Sequence, residues 1–351
     1  MLALKTKGLF IEFNQFSTLA AVTSGLTPPF KIERLKEFPA GDSNEDLEAF
    51  LEGLLTSKSV RYVPAVCGIY PKSRFFRRHT LESPAKAKED NFFTELLTNQ
   101  FRIDPTKNMA AVLNAIDGAE FNIEKPLTPQ KNIVIAGAQT EELLAEQERL
   151  TQMHIYPERL ELGSVATIGA LVQYARFRKE RMPTLVLEIT PDSSHLFILS
   201  SQMVEICRPI PYGLNTMFPL IQEELGLKDE DSARKLLFSN TFDFTEMGPI
   251  LLRRMLKELQ ASTGFYEVQT GQTISNVFMS LLPRNLRWIG DVISRSLGVE
   301  VLEVKYSEWL ASMRISVDDS INVESLDGRW HGLLSLMGDF NLQDQDGAKK
   351  E

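Results

Sequence analysis

The chain has 351 residues, long enough at roughly 150 residues per domain for two or three packed units. Its composition, 43% hydrophobic and 24% charged with 20 glycines and 17 prolines, excludes fibrous and low-complexity classes and suits a chain with a sizeable core. Lys and Arg number 38 against 47 Asp and Glu, and the net charge of −9 argues against nucleic-acid binding.

Two cysteines, Cys67 and Cys207, cannot frame a disulfide scaffold, and neither has Cys or His at zinc-ligand spacing, which predicts a reducing compartment. Residues 1–8 carry no apolar signal region. Apolar stretches such as Val165 to Val172 fall far short of the ~20 residues that cross a bilayer. The expectation is a soluble cytoplasmic protein without direct membrane insertion.

In chain order, Gly8 to Phe13 reads as a strand that turns at Asn14-Gln15 into a second run ending near Thr23, and a third follows at Lys31 to Phe38. Asp42 with Glu45 forms a capping-box pattern, and Leu47, Phe50, Leu51, Leu54 and Leu55 predict a helix over 46–58. Val63 to Tyr70 is a buried strand. A mixed region follows, with the basic run Lys72 to His79, a helical 88–100, strands at 109–116 and 131–137, and a helix from Thr140 to Met153. Ser164 to Lys179 is a further helix.

The opening pattern then repeats. Thr184 to Thr190 is apolar enough for burial on both faces, Pro191 to Ser194 is turn chemistry, and strands over 195–199 and 203–210 complete a second meander. Helices are predicted over 214–225, ended by Gly226, then over 229–238 and 249–267. A strand at 276–282, a helix at 285–297 ended by Gly298, and a strand at 299–304 follow. Two meander-plus-helix copies predict two α/β lobes with a cleft between them.

Several stretches resemble the PilM family of type IV pilus inner-membrane assembly proteins. Val204 to Gly213, with Arg208 and a Gly five residues later, is similar to a strand of that family. Asp229 to Lys235, with Ala233, resembles its acidic helix, and Ile135 to Gln139 with Ile155 to Arg159 resembles the end of its insertion. The resemblance implies an actin-like (ribonuclease H-like duplicated) two-lobed α/β fold with an inserted α+β subdomain. Related proteins are FtsA and the cytoplasmic domain of the type II secretion L protein. It implies a first lobe of residues 1–183 plus about 317–351, carrying 71–162 as the insertion, and a second lobe of 184–316.

An actin-like nucleotide site has recognisable motifs. The first hairpin normally reads Asp-x-Gly with a Lys, so that backbone N–H groups approach a phosphate while the Asp holds a metal-bound water. Here Glu12, Asn14 and Leu19 occupy those places, and the cation is gone. The second hairpin has Glu188, Thr190 and Ser194 where Asp, Gly and Thr stand in the family, and the Ser-Gly-Gly of the adenosine side becomes Ser280-Leu281-Leu282 followed by Pro283. The expectation is a degenerate site, hence no cofactor and no enzyme activity, with ATP and Mg disfavoured. The alternative, an active ATP-binding or weakly hydrolysing protein, rests on Glu12 and Glu188.

The four histidines, His79, His154, His195 and His331, stand singly without a nucleophile partner, and Gly118, Gly137, Gly163 and Gly169 form no phosphate-binding loop motif. The basic run reads as a solvated loop or edge strand. Residues 341–351 have no apolar face, which argues against an FtsA-like membrane helix. The resemblance implies a scaffold that receives the short cytoplasmic tail of an inner-membrane PilN-like partner between the first lobe and the insertion. Ile69, Tyr70, Phe75 and Phe76 are the candidate groove residues. A helix over 330–337 is expected to return to the first lobe.

Overall fold

The computed structural model describes residues 7–40, 45–54, 62–82, 86–89, 91–116, 118, 120–121, 132–239 and 241–338. The capping residue Asp42, positions 55–58 of the expected first helix and the tail 341–351 lie outside the described residues. No helix among the described residues is long and apolar enough to cross a membrane. The chain divides into two compact units, one from Met1–Gln173, Lys305–Leu326 and Trp330–Glu351, the other from Tyr174–Val304 and Asp327–Arg329.

The first unit opens with β1 (Gly8–Phe13), β2 (Ser17–Thr23) and β3 (Phe30–Pro39), an antiparallel meander, then α1 (Glu45–Glu52) and β4 (Val63–Ile69), which lies parallel to β1. Strand alternation sends Leu9, Ile11 and Phe13 to one face. There they meet Leu47 and Leu51 of α1 in a core that also takes Leu150 and Ile155. Phe10 and Glu12 face the other side.

An inserted sheet follows. It contains β5 (Phe75–Thr80), then α2 (Phe92–Glu95) running into a π-helical turn at Leu96–Gln100, then β6 (Asn108–Asn114) and β7 (Asn132–Gln139). The strand order is β5-β7-β6, antiparallel throughout. Its own core gathers Phe75, Leu81, Leu96, Leu97, Ile133 and Ile135, enough apolar burial for a separate packed layer.

Next, α3 (Thr140–Gln152) leads to β8 (Ile155–Leu162) and α4 (Gly163–Arg178). The sequence reading left 155–162 inside the insertion without assigning it as a strand. The structure pairs β8 parallel with β4, as the terminal strand of the main sheet. Its polar residues and Pro157 hide the strand pattern, and a terminal strand tolerates both. The insertion as a separate sheet therefore ends near Gln139, not at 162.

The second unit repeats the meander as β9 (Thr184–Ile189), β10 (Ser194–Leu199) and β11 (Val204–Ile210). A 3-10 turn at Leu214–Met217 precedes α5 (Phe218–Leu225), which ends on Gly226 at φ 61°, and Asp229 caps α6 (Glu230–Phe238) by accepting from the Ser232 amide. The long helix expected at 249–267 is two, α7 (Gly248–Leu251) and α8 (Arg253–Thr270), broken at Leu252, whose φ of −95° and ψ of 3° leave the helical region. β12 (Asn276–Ser280), α9 (Trp288–Leu297) and β13 (Glu300–Val301) complete a five-stranded sheet, order β11-β10-β9-β12-β13.

The chain then re-enters the first unit through α10 (Tyr306–Ser312) and β14 (Ile315–Val317), ending in α11 (His331–Ser335). β14 pairs parallel with β3, and Lys31 bonds Asp318 at 2.7 Å. Residues 305–316 thus belong to the first unit, not to the second lobe assigned from sequence. The first sheet reads β14-β3-β2-β1-β4-β8. In both sheets a meander is followed by two parallel strands, so the duplication read from sequence is a duplication of topology.

Residues 330–338 are all buried, with Leu333, Leu334 and Leu336 fully so. Each buried aliphatic contributes ~1.5–3 kcal/mol against a typical total stability of ~5–15 kcal/mol. Ending the chain after Leu326 is expected to abolish cooperative melting of the first unit, and Leu333→Ala to cost about 2–5 kcal/mol in denaturant unfolding. An unchanged melting curve for the truncated chain would show that the segment adds nothing.

Candidate functional site

The first hairpin turn is closed on itself. Asn14 Oδ1 accepts from the amides of Phe16 and Ser17 at 2.9 and 3.0 Å, the Asn14 amide donates to Ser17 O at 3.1 Å, and Asn14 Nδ2 donates to Glu12 Oε1 at 3.1 Å. Three N–H groups of the turn therefore have partners within it. Glu12 is fully buried, as is Leu19. A Cβ placed on Gly332 of α11 would collide with Glu12 Oε2, and one on Gly163 would collide with the Tyr70 ring. Two glycines thus let backbone close over the Glu12 and Tyr70 side chains.

In the second unit, the Thr190 amide donates to Ser193 O at 3.0 Å, and Thr190 Oγ1 donates to the same oxygen at 2.8 Å. Ser194 Oγ donates to Tyr212 O at 2.7 Å. A Cβ on Gly213 would fall 2.5 Å from the carbonyl oxygens of Thr190 and Pro191, so the glycine read as a family motif serves close packing of the turn. Glu188 is buried beside His195 across the β9–β10 pair, Oε1 to Nδ1 3.8 Å, a neighbour that linear spacing did not reveal. Ser280, Leu281 and Leu282 are buried, and Leu281 holds a left-handed φ of 69°. Arg208 donates to Ser262 Oγ and to Glu258 Oε2, joining β11 to α8.

Among the described residues no group of three or more His, Cys, Asp or Glu is placed to hold a metal ion. Burial pushes the Cys67 thiol up to about 12, so it stays protonated and unreactive.

A concave feature lies inside the first unit, a groove of about 670 Å³ between the inserted sheet and the α3–β8 end of the main sheet. Cross-strand register sets Met109 opposite Ala138 and Ala111 opposite Ala136, so a shallow face of small residues forms one wall. Gly137 pairs with Ala110 in the register of the other face, where a Cβ would collide with Met109 O and the Phe75 ring. Leu143 and Leu144 of α3 form a second wall, and Leu160 and Leu162 of β8 a third. Met109 and Leu144 are 54% and 57% exposed, unusual for large apolar side chains. β6 and β8, the end strands of their sheets, both line the groove. At its rim Arg159 pairs with Glu161 and donates to Leu336 O.

Of the four groove residues expected from sequence, Ile69 lines the floor. Tyr70, Phe75 and Phe76 are buried instead: Tyr70 lies by Glu12, Phe75 belongs to the core of the inserted sheet, and Phe76 is 1% exposed. Aromatic clustering identified packing, which aromatics serve as readily as binding. Met109, Leu144 and Arg159 were not singled out, since only the tertiary fold leaves them at a concave surface.

Glu142 of α3 holds the start of the insertion. It accepts from the Lys72 and Ser73 amides and from Ser73 Oγ, while the Gln139 amide donates to Ser73 Oγ at 2.9 Å. Both connections of the inserted sheet are thereby tied together. Burial opposes its charge, but the Ser73 and Lys72 hydrogen bonds outweigh it and hold the carboxyl below its usual value.

No family model matches the chain, and no curated protein matches it. Among solved structures it superposes on the PilM-PilN type IV pilus biogenesis complex with a TM-score of 0.68 at 16% identity, covering 95% of this chain and 98% of that one. A Bacteroides thetaiotaomicron protein with an actin-like ATPase fold and unknown function follows at 0.46 and 11%, covering 96% and 98%. The cytoplasmic domain of EpsL, an inner membrane component of the Vibrio cholerae type II secretion system, gives 0.41 and 9%, covering 98% and 96%. The fold is the actin-like one, in the form seen in the PilM-PilN complex.

Because the folded-state carboxyl is held below its usual value of 4.5, the Glu142 contribution is present above that pH and is lost as pH falls through the lower folded value. Glu142→Gln is expected to cost about 1 kcal/mol at neutral pH, the charged hydrogen bonds being discounted for solvent exposure. The gap from wild type should close in acid. A gap independent of pH would assign the loss to packing instead.

Proposed function

We propose that the protein is a scaffold at the cytoplasmic face of an inner membrane, docking a short tail of a membrane partner in the groove between the inserted sheet and the α3–β8 end of the first unit. The observation that carries this reading is a concave apolar surface with Met109 and Leu144 exposed at its walls, bordered by two end strands. An extended tail could hydrogen-bond along such an edge and seat alternate side chains in the apolar walls. The likeness to a solved PilM-PilN complex supports a PilN-like tail as the occupant. Affinity would be modest, because a short tail must order on binding.

The reading includes a nucleotide site that no longer works, so that the protein is no ATPase. ATP and Mg fit these residues poorly. The turn donors of the first hairpin are bonded within the turn, Glu12 lies under Gly332 and Tyr70, and Leu281 and Leu282 stand where the family has glycines. A type IV pilus or a type II secretion-like machine suits the reading equally.

Two measurements test it. A synthetic peptide of the cytoplasmic N-terminal tail of the membrane protein encoded beside this chain should bind wild type, and Met109→Glu or Leu144→Glu should weaken it about tenfold or more. Equal affinity for all three proteins would move the partner elsewhere. Calorimetry with ATP·Mg should give no heat of binding; a micromolar dissociation constant would instead establish the working ATP-binding protein.

A further inference from the structure

In a chain of net charge −9, positions 176–182 read Arg-Phe-Arg-Lys-Glu-Arg-Met, four cations against one carboxylate. They end α4 and lead into β9 within the second unit. Lys179 takes a left-handed φ of 57°, and the Lys179 and Glu180 amides donate back to Arg176 O and Ala175 O at 3.0 and 2.8 Å. The helix is closed there, and the chain doubles into a compact knob. Arg176 is engaged structurally, donating through Nε and Nη2 to Ser201 O and Gln202 O of the β10–β11 turn at 2.8 and 2.7 Å. Arg178, Lys179 and Arg181 are exposed, and so are Phe177 at 43% and Met182 at 42%.

Ordinary explanations cover part of this. Cations in a last turn complement the helix dipole, which accounts for Arg176 and Arg178. That effect does not reach Arg181, beyond the helix, and it gives no reason for an aromatic ring and a thioether chain to stay in water among the cations. Single exposed apolar residues are common, but here two sit within six positions alongside three exposed cations.

We propose that this knob adsorbs to an anionic lipid surface, with Arg178, Lys179 and Arg181 among the headgroups and Phe177 and Met182 at the acyl boundary. Charge complementarity selects the occupant. Fields fade within a Debye length of about 8 Å at physiological salt, so the local cations act although the chain as a whole is acidic. An acidic protein surface would satisfy the cations, whereas a bilayer also takes the two apolar side chains flanking them. The contact is peripheral, weak and reversible. It is made by residues of the second unit and does not depend on the docking groove of the first, so either can fail alone.

The test uses the full chain and vesicles of phosphatidylcholine with or without about one-third phosphatidylglycerol, followed by co-sedimentation. Wild type should pellet with the anionic vesicles, not with the neutral ones, and be released by high salt. Each cation near the surface contributes about fivefold, so replacing Arg178, Lys179 and Arg181 by Gln should lower binding about a hundredfold. The triple control Lys228→Gln, Lys257→Gln, Arg295→Gln, which changes net charge equally, should bind as wild type. Phe177→Trp should show a blue-shifted emission on anionic vesicles. Absence of wild-type binding overturns the proposal, as does equal loss in the control triple, unchanged binding of the knob triple, or a bound Phe177→Trp protein without a shift.

Discussion

The first unit depends on the close approach of α11 to β1. Gly332 lies against the Glu12 carboxylate and the Tyr70 hydroxyl, where any side chain would collide. The preceding His331 is fully buried and stacked 5.0 Å from the Trp309 ring, and burial pushes its imidazole down to about 3. It is therefore neutral at physiological pH, and α11 can enter the core without bringing in a charge. From that contact the helix runs on to Leu336, which packs on Gly68 of β4 and whose carbonyl receives Arg159 at the groove rim. One glycine thereby sets the cover of the first hairpin, the packing of the central parallel strands and one edge of the groove.

Much of this architecture was legible in the sequence because period and punctuation agreed. β9 is a fully buried, mostly apolar run bounded by Pro183 and Pro191, and α5 and α9 end on Gly226 and Gly298, both left-handed. Where the reading missed, tertiary context outweighed local pattern. β8 alternates poorly because one of its edges has no strand neighbour in the sheet, and α7 and α8 share an apolar period across the break at Leu252. β14 is only three residues long, and its pairing with β3 joins positions almost three hundred residues apart, a contact that carries no local signal.

The candidate groove illustrates the same limit on local pattern. Its wall is a run of small residues, Ala110, Ala111, Ala136, Gly137 and Ala138, which in sequence reads as an unremarkable strand interior. Across the β6–β7 pair Ala111 faces Ala136 on the groove side, while Phe75, Ile133 and Ile135 point to the opposite face. Phe75 and Phe76 drew notice for their size, and size is the property that buries them. Space is written in alanines and glycines that no motif singles out.

A backbone conformation that favours glycine can be held by another residue type when packing supports it. Leu281 holds a φ of 69°, a conformation costing a non-glycine residue roughly 1–2 kcal/mol. Burying its side chain returns roughly 1.5–3 kcal/mol, so the strained leucine is sustained by packing. In the first unit the Asn14 side chain holds its turn, its amide nitrogen donating to Glu12 and its oxygen accepting from the Phe16 and Ser17 amides. In each unit a side chain next to a strand end thus stabilises the fold itself, through burial at Leu281 and through hydrogen bonds at Asn14.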